Sequence, residues 1–279
     1  MIQIENLSFQ YPNGIAVLDR VNFTVTKGDF VALIGQNGAG KTTLLKHLNA
    51  LLRPTSGKVG ICQMDTRSCT TGKLAQKVGF LFQNPDHQIF NSTVEREIGF
   101  GLKNLGMDKQ QIRQRTLEAV AAVGLEETLA ENPIFLSKGQ RQRVAFASLL
   151  AMQPEIMVLD EPTTGQDYQE GIQIMEMVKD LNEQGHTILF VTHDMELVAR
   201  YAKRVIVLNQ GKVLMDGTPQ QVFYQPETLL QTNLFPPQIA RLVQRFGSQS
   251  DWFGQALTVE ECFQAVIALK ESEANVGCC

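Results

Sequence analysis

A layered α/β fold built on a mostly parallel sheet is predicted by three features of this chain. The run "FVALIG" at 30–35 is continuously apolar, ends in a glycine-rich loop and passes into the helical-looking "KTTLLKHLNALL". Further along, "EIMVLDEP", a helical "GIQIMEMVKDLNEQG" and "TILFVTHD" alternate strand, helix and strand, as βαβ units do. Short β-branched runs before residue 30, "IQIENLSF" and "VLDRVNFTV", add a small antiparallel sheet.

The elements follow in order. A turn at Lys27-Gly28-Asp29 joins the second short run to "FVALIG". The helix that begins at Lys41 is expected to be stopped by Pro54 and Gly57. A further strand pair is predicted in "GKVGICQMD" and "KVGFLFQ". From about 84 to 152 the pattern turns helical, in "TVEREIGFGLKNLG", "DKQQIRQRTLEAVAAVG" and "GQRQRVAFASLLAM", punctuated by Gly106, Gly124 and Pro133. This reads as a helical subdomain inserted into the α/β frame. After the strands at 155–162 and 187–194, a hairpin "RVIVLNQGKVLMDG" turning at Asn209 to Gly211 closes a main domain over 1–217. Residues 218–279 read as a C-terminal helical appendix broken by Pro226, Pro236 and Pro237.

Length and composition bound the function. A chain of 279 residues with 43% hydrophobic content can bury a sizeable core as one large or two small domains. The formal net charge of −4 carries no basic footprint of a nucleic-acid binder. No apolar run approaches the roughly 20 residues of a membrane helix, and the start "MIQIENLSF" has neither a basic nor an apolar leader region, so a cytoplasmic location is expected. Cys62, Cys69, Cys262, Cys278 and Cys279 form no C-x-x-C pair, which argues for reduced thiols over disulfides or zinc. The Gly277-Cys278-Cys279 end lacks the residues that a prenylation pattern needs after the cysteine. His47, His87 and His186 stand in three different elements without metal-ligand spacing.

The chemistry gathers at three places. Gly35-Gln36-Asn37-Gly38-Ala39-Gly40-Lys41-Thr42 fits the phosphate-binding pattern G-x-x-x-x-G-K-[ST], with Thr43 next in the helix. Its glycines let backbone N–H groups wrap phosphate oxygens, and the helix start adds a positive dipole end. Lys41 neutralises β/γ-phosphate charge and Thr42 ligates Mg²⁺ in such a loop. Second, "IMVLDEP" ends in Asp160-Glu161, at the carboxyl end of a buried strand where α/β sheets bind ligands. Asp160 is placed to hold Mg²⁺ through water and Glu161 to polarise the attacking water. An acidic pair after a strand also serves plainly as a helix start. Third, Leu136-Ser137-Lys138-Gly139-Gln140 has the make-up of another anion-binding helix start, so one chain carries two cradles.

With these motifs the chain resembles the ATP-binding-cassette (ABC) family, a P-loop NTPase fold, over residues 2 to about 217. "LSKGQ" looks like the family's signature sequence, Gln83 like its Q-loop residue, His193 like its switch histidine, "TTGQD" like its D-loop and Tyr11 like its adenine-stacking aromatic. The resemblance implies ATP and Mg²⁺ as cofactors, with Glu161, His193 and Gln83 catalytic and Thr42, Gln83 and Asp160 around the ion. It also answers why there are two cradles. The signature turn completes the site of a partner, so two cassettes facing head to tail trap each ATP between Lys41 of one chain and Ser137, Gly139 and Gln140 of the other. Read without the family, Gln83 caps a strand, His193 is a polar strand end, and Tyr11 is packing or a turn residue. Two positions depart from the family pattern: Lys138 replaces a common Gly, and Gln166 a common Leu.

The stretch "QNPDHQIFNSTVEREIGFGLKN" resembles the ATPase subunits of energy-coupling factor transporters, which take up vitamins or cobalt and nickel ions. That implies a peripheral place on the cytoplasmic face of the membrane. The implied partners are a second copy or paralogue, a transmembrane coupling subunit and a substrate-binding membrane subunit. Ile89, Phe90 and Phe100 are the candidates for docking the coupling subunit's helix, with a core role equally open for Phe100. The tail "NLFPPQIARLVQRFG" and "LTVEECFQAVIAL" looks like that group's dimerising C-terminal region. Two alternatives are the ATPase of another importer or exporter and a soluble cassette protein. The second is disfavoured by a single P-loop and by too short an interval between Thr42 and Leu136 for a coiled coil.

Overall fold

The computed structural model describes residues 1–246 and 254–276. A six-stranded sheet forms the frame, in the order β10 (Lys212–Gly217), β9 (Arg204–Asn209), β3 (Phe30–Ile34), β8 (Thr187–Val191), β7 (Ile156–Asp160) and β6 (Val78–Leu81). All neighbours are parallel except the β9–β10 hairpin at the edge. Strands β3, β7 and β8 are buried along their whole length, which is why they read as unbroken apolar runs. Their residues alternate between two cores. Phe30, Ala32, Ile34, Met157, Leu159, Ile188 and Phe190 face one cluster, while Val31, Leu33, Ile156, Val158, Leu189 and Val191 face the other.

The second cluster is closed by α1 (Lys41–Leu48) and by an antiparallel sheet of order β2 (Ala16–Val25), β1 (Ile2–Gln10), β4 (Ser56–Ile61) and β5 (Met64–Asp65). Here the structure corrects the expected pairing of "GKVGICQMD" with "KVGFLFQ". β4 pairs with β1, while β6 joins the parallel sheet beside β7. The patterns show the reason: β4 is half-buried, whereas "VGFL" is nearly all buried and its Gly79 leaves no room for a Cβ against Leu149 and Pro154. A short helix not read from the sequence, α2 (Thr71–Ala75), lies between them, capped by Thr70. The helix from Lys41 also ends before Pro54, at Leu48, because Ala50 turns into the left-handed region at φ 56°.

On the other face, α3 (Val94–Asn104), α4 (Lys109–Ala122) and α5 (Lys138–Met152) form the helical region. Each start carries a side-chain cap: Thr93, Asp108 with Gln111, and Ser137 with Gln140. α6 (Tyr168–Glu183) and α7 (Met195–Tyr201) cover the same core, and α7 was not foreseen from the sequence. The β9–β10 turn falls where predicted, with Gln210 and Gly211 both at positive φ, as a two-residue hairpin requires. The appendix consists of α8 (Pro219–Phe223), α9 (Pro226–Leu230), α10 (Gln238–Arg245) and α11 (Val259–Val276). Its Val222, Phe223, Leu229, Ala240 and Leu257 belong to the same core as the sheet, so it packs as part of that body. Cys278 and Cys279 lie outside the described residues. Among the described residues, no helix is long and apolar enough to cross a membrane.

Candidate functional site

The carboxyl ends of β3, β7 and β8 open onto one cavity of about 310 Å³. The chain leaves β3 at Gly35, where a Cβ would stand 2.2 Å from the Leu208 carbonyl of β9, so only glycine lets the loop start this close to the sheet. It enters α1 through Gly40, at φ 103°, with no side-chain cap. The first N–H groups of α1 are thus left for a ligand, and its first turn holds no acidic residue to compete for them.

Lys41 is buried, and its Nζ donates to the carbonyl oxygens of Gly35 (2.6 Å) and Gln36 (3.1 Å). Burial holds its pKa below the usual lysine value, against the pull of Glu161 and Asp160. Thr42 donates its hydroxyl to Asp160 Oδ2 at 3.1 Å. Burial raises the pKa of Asp160, and the bond from Thr42 and the Lys41 cation oppose that rise.

Glu161 is bent into the cavity by a positive φ of 54° and is only 7% exposed. Its Oε1 is buried without a hydrogen bond and stands 3.1 Å from His193 Nε2. Burial, and then the neighbouring Asp160, push its pKa up to about 7, while burial and the Lys41 cation lower that of His193. Glu161 thus titrates near neutral pH, in the range suited to a general base, beside an imidazole whose charged form is disfavoured.

Of the residues singled out in the sequence, Asn37, Gly38, Gly40, Lys41, Thr42, Thr43, Gln83, Asp160, Glu161 and His193 line this cavity. Gly35, Gln36 and Ala39 build the loop from behind; the Ala39 carbonyl accepts from Gly211 N at 3.0 Å. Val17 and Val191 also line the cavity and were not foreseen, since an apolar residue in a strand carries no signal until the fold places it. Tyr11 is not a lining residue. Its hydroxyl lies 3.2 Å from Thr43 Oγ1 and its ring packs edge-on against Phe9, which in turn meets buried His47.

Ser137, Gly139 and Gln140 do not line it either. Ser137 caps α5 by accepting from Gln140 N, and the Gln140 side chain accepts from Ser137 N. Gly139 faces the 163–167 loop: Gln166 Nε2 donates to its carbonyl at 2.9 Å, and the aliphatic stem of Lys138 lies over Gly165. The two departures from the family pattern thus occupy one contact.

A glycine-rich loop closed over a lysine at the carboxyl end of a parallel sheet, with a buried carboxylate pair opposite, defines a P-loop nucleotide-binding protein. Residues 18–164 match the family described as ABC transporter. An ABC transporter ATP-binding protein of Caldanaerobacter subterraneus subsp. tengcongensis is 47% identical over 247 residues, 88% of this chain and 43% of that relative. The energy-coupling factor transporter ATP-binding protein EcfA of Methanocaldococcus jannaschii is 46% identical over 88% of both chains. The EcfA of Methanothermobacter thermautotrophicus is 40% identical over 98% of this chain and 89% of its own. Among solved structures, cbiO1 from Clostridium perfringens, part of the ABC transporter complex cbiONQ, superposes with a TM-score of 0.72 at 33% identity, covering 87% of this chain and 98% of that one. A dimeric ATP-binding cassette bound to ADP and Pi gives 0.73 at 33% identity, over 78% and 98%. The chain belongs to the ABC transporter family, as an ATP-binding, ATP-hydrolysing cassette of the energy-coupling factor type. It spans less than half of the first of these relatives and most of the EcfA proteins.

Proposed function

We propose that this chain is the ATP-driven motor of an energy-coupling factor importer for a vitamin or for cobalt or nickel, working at the cytoplasmic face of the membrane. It acts as a head-to-tail pair with a second copy or paralogue. One observation carries the reading: Lys41, Thr42, Asp160, Glu161 and His193 share one cavity, while the signature turn, a helix start with no acid in its first turn, stands outside it. Each site is finished by the partner's Ser137, Gly139 and Gln140.

Within the site, the loop N–H groups and Lys41 hold the phosphates, Glu161 takes the proton of the attacking water, and His193 steadies the γ-phosphate side. Tyr11, pinned through Thr43, offers its ring beside the loop for adenine. The hydroxyl of Thr42, the carboxylate of Asp160 and the amide oxygen of Gln83 are the hard oxygen donors that suit Mg²⁺. The ion would neutralise charge on the β- and γ-oxygens. The cassette comprises residues 1–217, with the helical subdomain over about 84–152 and the accessory region over 218–279.

Coupling to the membrane runs through a groove of about 580 Å³ beside α3 and α5, lined in part by Ile89, Phe90 and Ile134. Phe90 and Ile134 are 66% and 73% exposed, and Phe100, read as either core or contact, is exposed and edge-on to Phe90. These apolar side chains suit a helix of the transmembrane coupling subunit. Arg141 joins groove and signature: it pairs with Asp86 at 2.8 Å and donates to the Leu136 carbonyl at 2.5 Å. A helix displaced in the groove therefore moves the turn that closes on ATP. Solute choice rests with the substrate-binding membrane subunit.

Complementation tests the shared site. Chains carrying Lys41→Ala and chains carrying Ser137→Ala should each be inactive, and mixing them should restore ATPase, because half-and-half pairs contain one intact site. A mixture no more active than its components would show that one chain holds its own complete site.

A further inference from the structure

The C-terminal appendix reaches the nucleotide loop by a hydrogen-bonded path. Asn233 Nδ2 donates to Gln36 Oε1 at 3.3 Å. Gln36 Nε2 donates to Asn209 Oδ1 at 3.3 Å, and Asn209 Nδ2 donates to the Gln231 carbonyl at 3.4 Å. The Gln36 side chain is thus held at both ends, once directly and once through the β9–β10 hairpin, by residues just after α9.

That segment has a fixed base. Leu229 and Thr232 are fully buried, and Thr232 Oγ1 donates to the Leu229 carbonyl at 2.7 Å. Asn233 then takes φ 52°, a left-handed turn that aims its amide at the loop. On its other side, the appendix donates Gln238 N to Glu196 Oε1 at 2.7 Å, in α7, three residues after His193.

Gln36 matters because its own carbonyl accepts from Lys41 Nζ. The residue that the appendix grips is therefore one of the two that set where the phosphate-binding ammonium stands. We infer that Asn233 is a positioning residue for the nucleotide site, through which the appendix holds the phosphate loop and senses what the loop binds. Because linkage is reciprocal, a nucleotide that shifts Gln36 also loosens or tightens the appendix. The inference rests on the nucleotide reading of the cavity.

The test is an ADP titration of the full chain and of Asn233→Gly, which removes the amide and keeps the left-handed turn. Affinity should fall about 2- to 10-fold in Asn233→Gly, the usual worth of one such hydrogen bond. Gln36→Ala should weaken binding at least as much, and the double variant no more than Gln36→Ala alone. Gln244→Ala, which breaks a bond to the Phe223 carbonyl inside the appendix, should leave ADP affinity unchanged. Equal affinity in Asn233→Gly and the unaltered chain, or an additive double variant, would overturn the inference while leaving the nucleotide reading intact. Equal weakening by Gln244→Ala would overturn it as well, since general loosening of the appendix would then explain the effect. Failure of the unaltered chain to bind ADP would remove both.

Discussion

Two helix starts in this molecule, those of α1 and α5, have the make-up of anion cradles in sequence, and they are built differently. α1 begins at a buried glycine without a side-chain cap, and its lysine is folded back onto the loop. α5 begins at an exposed serine whose hydroxyl, with Gln140, satisfies the turn from within. Neither has an acidic first turn, a property they share with α2, α4, α8 and α10, so the difference between them lies in the cap. The first start leaves its N–H groups facing the cavity that Lys41, Asp160, Glu161 and His193 also line. The second is satisfied from within and stands outside the cavity, as the composite site proposed above needs. A composite site requires this division: one half holds the nucleotide, and the other remains folded while waiting.

The sharpest way to break the comparison is at the first start. Lys41→Ala should reduce nucleotide binding and turnover by about 10²–10³-fold or more, since a buried charge aimed at phosphate is lost. Unchanged ATP affinity in equilibrium dialysis would mean that the loop is not the phosphate site. Glu161→Gln should lower turnover about 10²–10⁴-fold while keeping ATP bound and the pair closed. Size-exclusion chromatography with ATP should then show the dimer, and a monomer would contradict the scheme.

Ser137→Ala should cost turnover while leaving nucleotide affinity of the isolated chain nearly unchanged. It also removes a helix cap, worth about 1 kcal/mol of stability. If affinity for ADP in the monomer falls together with turnover, the two starts are not separate halves.

A smaller effect appears in pH-dependent stability. The pKa of Glu161 in the folded chain, about 7, lies above its ordinary value of 4.5, so the folded state binds the extra proton. Stability from this group is full below about pH 4.5, declines between 4.5 and 7, and stays low above. Glu161→Gln should therefore be more stable than the unaltered chain at pH 8, by an amount on the order of 3 kcal/mol, with the gap closing toward pH 5. Thermal melts across that range measure it, and a gap that widens toward acid would be the wrong sign. Smallest of all, Phe90→Ala should leave the ATPase of the isolated chain within about 2-fold and weaken capture of the membrane subunit, because the ring is exposed and its edge-on partner Phe100 is exposed too.

The phosphate loop was legible because its residues are contiguous and its chemistry is backbone chemistry. The buried strands were legible because burial on both faces leaves no polar alternation, as in "FVALI" and "TILFV". The β4–β6 pairing was misread because both segments have strand composition, and only their partners differ. The end of α1 was misread because Ala50 takes a left-handed turn that its residue type does not announce.

By itself, then, the sequence determined the α/β class, the phosphate loop and the acidic pair at a strand's end, all of which are local patterns of spacing and polarity. Only the tertiary structure decided that Val17 and Val191 wall the cavity, that Glu161 lies against His193, that the signature turn stays outside, and that Asn233 reaches Gln36. Each of these joins residues far apart in the chain. Their distances follow from how the sheets and helices pack, and no local pattern contains that information.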